Sequence, residues 1–99
     1  MVEEVSSFDG GCRCGQIRYT CSSTPVFTAH CHCRDCQYAS GGGFSTIVVV
    51  PTVGVDMSGD LGGFTVTADS GNELTRKFCS NCGTPILTEM LSNPQIMVL

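Results

Sequence analysis

The stretch 79-CSNCG-83 determines how this chain is held together. Two cysteines separated by two residues can aim both sulfurs at one ion, because a tight turn brings them to the same side. A glycine after the second cysteine completes the usual knuckle, in which backbone N–H groups point at the sulfurs. Near the other end of the chain, 12-CRCG-15 has the same form in a CxC version. A structural zinc takes four ligands at tetrahedral corners, with Zn–S bonds of about 2.3 Å. Cys12 and Cys14 therefore pair with Cys79 and Cys82 in one closed site. Such an ion clips the first strands to a late hairpin. By analogy with a disulfide, closing so long a loop removes unfolded-state entropy worth about a few kcal/mol. Coordination itself adds folding free energy.

A staple of this kind suits the size and composition. The 99 residues suggest one domain over 1–99, with a modest core. Hydrophobic residues make up 41% and charged residues only 14%, so the polar surface comes from Ser, Thr, Asn and Gly rather than from ion pairs. Twelve glycines, four prolines and no long Ala/Leu/Glu/Lys tract point to strands and turns. The net charge is −4, and the five basic residues, Arg13, Arg18, Arg34, Arg76 and Lys77, form no run longer than two. That distribution argues against nucleic acid as a partner. The N-terminal MVEEVSSFDG is acidic and has no apolar run, so it is no secretory signal. The longest apolar block, 47-IVVV-50, is strand-sized, far short of the roughly 20 residues that span a bilayer. The chain reads as cytoplasmic, with no membrane association. In a reducing compartment, eight cysteines point to metal or catalysis before disulfides.

Between the cysteine groups, β-branched and alternating segments are separated by turn signals. Strands are expected over 16–21, 26–30, 44–50, 53–57, 63–68, 74–79 and 86–90. The run 44–50 is apolar enough for burial on both faces, and Pro51 ends it or sits at an edge. A last strand over 95–99 has no further strand after it. Only 33–39 reads as helix, one or two turns long. The expectation is an all-β fold, a small zinc-stapled sheet with one short helical turn after the second cysteine cluster.

That cluster is 31-CHCRDC-36, with Cys31, Cys33 and Cys36. Three protein ligands leave a tetrahedral ion with one open position, the mark of a catalytic zinc. The position suits water or an incoming thiolate, whose pKa zinc would lower. Two other readings stand beside this one. The cluster could be a further structural site, closed by His30, His32 or Cys21. It could also be a metal-free redox group, since the CxxC at 33–36 or 79–82 resembles a thiol-exchange motif. Cys21, alone, reads as a core cysteine. His32 lies between two ligands and is expected to point away from their ion. Asp35 reads as the cap of the following turn. The Gly41–Gly43 run is either a plain turn or a place where backbone approaches a ligand closely.

Three blocks, 10-GGCRCGQIRYTC-21, 31-CHCRDCQYASGGGF-44 and 76-RKFCSNCGTPI-86, occur in that order. Together they resemble the glutathione-dependent formaldehyde-activating enzyme family, also called centromere protein V–like. The resemblance implies an Mss4-like all-β fold. It implies one structural zinc at Cys12, Cys14, Cys79 and Cys82 and a second zinc at Cys31, Cys33 and Cys36, the latter being the catalytic cysteines. The activity implied is of the carbon–sulfur lyase type, condensing glutathione with formaldehyde to S-hydroxymethylglutathione. The partners would be a small thiol and a small carbonyl compound. Arg34, Arg76 and Lys77 are candidates to read the thiol's carboxylates. Family domains run on past the CGTP block, whereas this sequence stops at 94-PQIMVL-99. Uncovered strand edges, and a homodimer or strand swap that covers them, are therefore expected. A rival reading of another class is a non-catalytic, zinc-stabilised binding module on the same fold, and fold alone does not choose between them.

Overall fold

The computed structural model describes residues 7–68 and 70–99. Its strands are β1 Phe8–Gly11, β2 Arg18–Cys21, β3 Phe27–Cys31, β4 Ser45–Pro51, β5 Val55–Ser58, β6 Leu61–Thr67, β7 Glu73–Cys79, β8 Pro85–Met90 and β9 Ile96–Val98. Among the described residues one α-helix, α1, covers Arg34–Ser40, and a 3-10 turn covers Thr52–Gly54. The chain is thus mostly β, as its composition and segment pattern require.

The strands form two antiparallel sheets. One has three strands in the order β1-β2-β5, the other six in the order β3-β4-β9-β8-β7-β6. The run STIVVVP makes β4 because β-branched side chains fit a pleated surface. Its end, Val49 and Val50, is fully enclosed. Pro51 closes the strand and caps the 3-10 turn, after which the chain crosses to the smaller sheet. That turn takes the first half of the strand expected over 53–57, and Val53 within it is 95% exposed.

One strand was not expected, and another takes a place the sequence did not show. No strand was expected at Phe8–Gly11, because FDGG has almost no β-propensity. Pairing with β2, from Phe8 opposite Cys21 to Gly11 opposite Arg18, makes it a strand. The final strand, expected over 95–99, forms as Ile96–Val98 and lies inside the larger sheet. Met97 faces Val50 of β4 on one side and Glu89 of β8 on the other. The edge left open at 95–99 is therefore covered within the chain, and the edges of the larger sheet are β3 and β6.

The core sits between the sheets. Ile17 and Cys21, from the segment entering and ending β2, meet Val50, Cys79, Ile86, Leu87 and Met97 of the larger sheet. Each large side chain buried there contributes about 1.5–3 kcal/mol. Cys12 and Cys79 belong to this core cluster, so the proposed staple is anchored in it rather than hung from the surface.

Helix α1 is too short to stand by itself. Cys33 is its N-cap, its sulfur accepting the N–H of Cys36 at 3.4 Å, and Gly41 at φ 72° ends it in the left-handed region. The hydroxyl of Ser45, on β4, donates to the Cys36 carbonyl at 3.0 Å and ties the helix to the sheet. No helix of the described residues is long and apolar enough to cross a membrane.

Candidate metal centre

The sulfurs of Cys12, Cys14, Cys79 and Cys82 all lie within 4.8 Å of one another. Cys12 and Cys14 are 3.5 Å apart and Cys14 and Cys79 are 3.7 Å apart. A tetrahedron built on Zn–S bonds has edges of about 3.8 Å, whereas a disulfide would hold its sulfurs at about 2 Å. All eight cysteines are free thiols. The donor set and its spacing therefore fit a zinc-like ion.

Local backbone aims the sulfurs. The Ile17 N–H donates to Cys12 Sγ at 3.2 Å, and the N–H groups of Asn81 and Cys82 both donate to Cys79 Sγ at 3.4 Å. Positive φ at Gly15 (91°) and Gly83 (77°) turns the chain after each pair, where a side chain would be strained. Thr84 joins the two knuckles. Its hydroxyl accepts the Arg13 N–H at 3.2 Å and lies 3.1 Å from Cys82 Sγ. With one lone pair so occupied, the hydroxyl is set to donate to the sulfur. That bond, followed by backbone N–H groups of Thr84 and Cys14, lowers the Cys82 pKa to about 5. The thiolate is the form that binds metal.

The second group is Cys31 at the end of β3, Cys33 at the helix cap and Cys36 within α1, again with all sulfurs inside 4.8 Å of one another. Cys31 and Cys33 are 3.6 Å apart. Burial pushes the Cys36 thiol up to about 11, and the adjacent Cys31 and Cys33 sulfurs add to the rise. Cys31 is lowered, first by the backbone N–H of Cys33 and then by the thiols of Cys36 and Cys33. Three clustered sulfurs resist becoming thiolates together unless a cation sits among them.

Among the described residues, no His, Asp, Glu or further Cys joins this trio. His30 stacks on Phe44 with ring centroids 4.7 Å apart, and His32 lies against the same ring at 5.2 Å. Cys21 is wholly buried, its sulfur directed at the Ser23 carbonyl at 3.5 Å. Asp35 does not cap the helix, since Cys33 occupies that position; its carboxylate pairs instead with Arg76 of β7. Nothing local announces that pair, whose members are 41 residues apart. The Thr84 hydroxyl was also missed, although a Thr two residues after the last cysteine is a visible donor.

Two of the three cations proposed to read carboxylates are engaged within the fold. Arg76 holds Asp35 and donates to Thr88 Oγ1 at 3.0 Å, and Lys77 pairs with Glu89 at 3.0 Å. Arg34 is exposed and forms no ion pair among the described residues. A cleft of about 450 Å³ opens past the end of α1, lined by Phe44, Ser45, Ile47, Arg76, Phe78 and Leu87 among others. Ser45 and Arg76 border both this cleft and Cys36. The Gly41–Gly43 run is exposed, and the Gly43 carbonyl accepts the Gln37 side-chain amide at 3.2 Å.

A comparison with curated proteins finds no match. The family model described as glutathione-dependent formaldehyde-activating enzyme matches residues 7–99. Nearly the whole chain lies in that match, both cysteine groups included, and the chain belongs to that family.

Proposed function

We propose that this protein is a zinc-dependent enzyme of the carbon–sulfur lyase type, on an Mss4-like fold. It joins a small thiol of the glutathione kind to formaldehyde or another small carbonyl compound. The observation that carries the reading is the inequality of the two sulfur groups, four in one and three in the other. Cys12, Cys14, Cys79 and Cys82 hold a structural zinc. Cys31, Cys33 and Cys36 hold the reactive one. An ion held by Cys31, Cys33 and Cys36 would supply Lewis acidity that lowers the pKa of a substrate thiol.

The chain's own residues supply placement. The Cys33 cap and the Ser45 bond to the Cys36 carbonyl brace the start of α1, so that Cys33 and Cys36 are held against Cys31 at the end of β3. Arg34, at the first turn of that helix and free of ion pairs among the described residues, is positioned to meet a carboxylate of the thiol. The open cleft beside Phe44 and Ser45 gives the adduct room. In the reaction the sulfur lone pair forms a C–S bond to the carbonyl carbon. The C=O π pair moves to oxygen, and oxygen takes the proton the thiol gave up. No oxidant or reductant is consumed. Unpaired cysteine clusters suit a reducing, cytoplasmic setting.

The test is exchange NMR on zinc-loaded protein with ¹³C-formaldehyde and glutathione. Exchange between free aldehyde and thiol adduct faster than the uncatalysed rate is the expected result. A fully zinc-loaded protein that leaves that rate unchanged for glutathione and for a panel of small thiols and aldehydes would reduce the chain to a binding module.

A further inference from the structure

We infer that Arg76 is a positioning residue for the three-cysteine site, locking helix α1 to the larger sheet and setting a cation against the Cys36 sulfur. The inference rests on the reading that Cys31, Cys33 and Cys36 hold an ion. Arg76 stands on β7, and its guanidinium reaches three residues on two other elements. One terminal nitrogen donates to Thr88 Oγ1 on β8 at 3.0 Å. The other pairs with the Asp35 carboxylate on α1 and lies 4.0 Å from Cys36 Sγ. The fork geometry of arginine allows this division; a lysine, with one compact charge, could not serve all three partners.

The remaining nitrogen shows what fixes the side chain. Arg76 Nε is buried and has no hydrogen-bond partner among the described residues. Leaving a buried donor unpaired is unfavourable, so the guanidinium is placed by the demands at its far end. Those demands make sense around an ion. A dication with three thiolates carries a net charge of −1, and its most enclosed sulfur, Cys36, is the one facing the arginine. Outer partners of this kind orient metal donors and set their affinity. Asp35 keeps the guanidinium in register and ties it to the same helical turn that carries Cys36. Ser45 ties α1 to β4, and the Arg76 bridge ties it to β7 and β8 on the far side of the sheet.

The test follows stepwise cobalt and zinc loading of the wild type, Arg76→Gln and Asp35→Ala, read by thiolate-to-cobalt absorption bands and by competition with a chromogenic chelator. The wild type is expected to take two ions. Arg76→Gln should bind the first unchanged and the second about 10–100-fold more weakly, with an altered cobalt spectrum for that second ion. Asp35→Ala should shift the same ion in the same direction. A second ion bound by Arg76→Gln with wild-type affinity and spectrum overturns the inference while leaving the two-ion reading intact. Should Arg76→Gln lose both ions by unfolding, Asp35→Ala decides: a weakened second ion supports the role and an unchanged one rejects it. A wild type that takes only one ion removes the three-cysteine site and this role with it.

Discussion

The sulfurs of Cys14 and Cys79 lie 3.7 Å apart although 65 residues separate them in the chain. Around that contact the first knuckle, the end of β7 and the core cluster meet. An ion there closes a loop spanning most of the molecule. By the loop-entropy relation used for disulfides, such a closure contributes about 4 kcal/mol, a large share of the roughly 5–15 kcal/mol that stabilises a domain.

Chelation should therefore unfold the protein rather than only inactivate it. Stripping metal with a strong chelator under reducing conditions is expected to abolish the cooperative thermal transition followed by circular dichroism. Cys79→Ala, which removes a buried donor, should do the same without chelator. A chelated protein that melts at the original temperature would show that the four sulfurs carry no structural ion.

The trio should behave differently. Cys33→Ser keeps an oxygen that can accept the Cys36 N–H, so the helix cap survives. It removes a soft donor from the ion. We expect a cooperative fold close to wild type, one zinc per chain instead of two by metal analysis, and loss of any thiol–carbonyl exchange activity. Cys33→Ala also gives up the cap and should melt lower, by about 1 kcal/mol.

His30→Ala and His32→Ala should each leave the zinc content unchanged. Both rings pack on Phe44 and neither joins the sulfur trio. The cost should be the loss of ring stacking, about 0.5–1.5 kcal/mol, measured by denaturant titration. A drop of one zinc per chain in either variant would place that histidine among the ligands.

Gly83→Ala probes the knuckle itself. A Cβ there would meet no atom of the described residues within 4 Å, so the penalty expected comes from φ 77°. About 1–2 kcal/mol is expected, with Gly83→Asn recovering part of it. At Ile17, wholly buried behind Cys12, Ile17→Val should cost about 1 kcal/mol and spare the ion, since the backbone N–H to Cys12 Sγ remains. Thermal melts with parallel zinc analysis check both.

What the sequence alone determined was local. The spacings CxC, CxxC and CxCxxC fix which sulfurs share a turn, because a few residues of backbone limit where each sulfur can point. The β-branched run of β4 and the short helix after Cys33 were legible for the same reason, being set by neighbours along the chain. Even the partition of seven cysteines into four and three came from counting corners of a tetrahedron. Only the tertiary structure decided how distant segments meet. It made a strand of Phe8–Gly11, whose glycines do not favour one, by offering β2 as a template. It threaded Ile96–Val98 between β4 and β8, and it set Arg76 against Asp35 instead of leaving either for substrate or cap. Such pairings depend on the register of strands far apart in sequence, and a single chain read residue by residue carries no record of which remote partner completes each one.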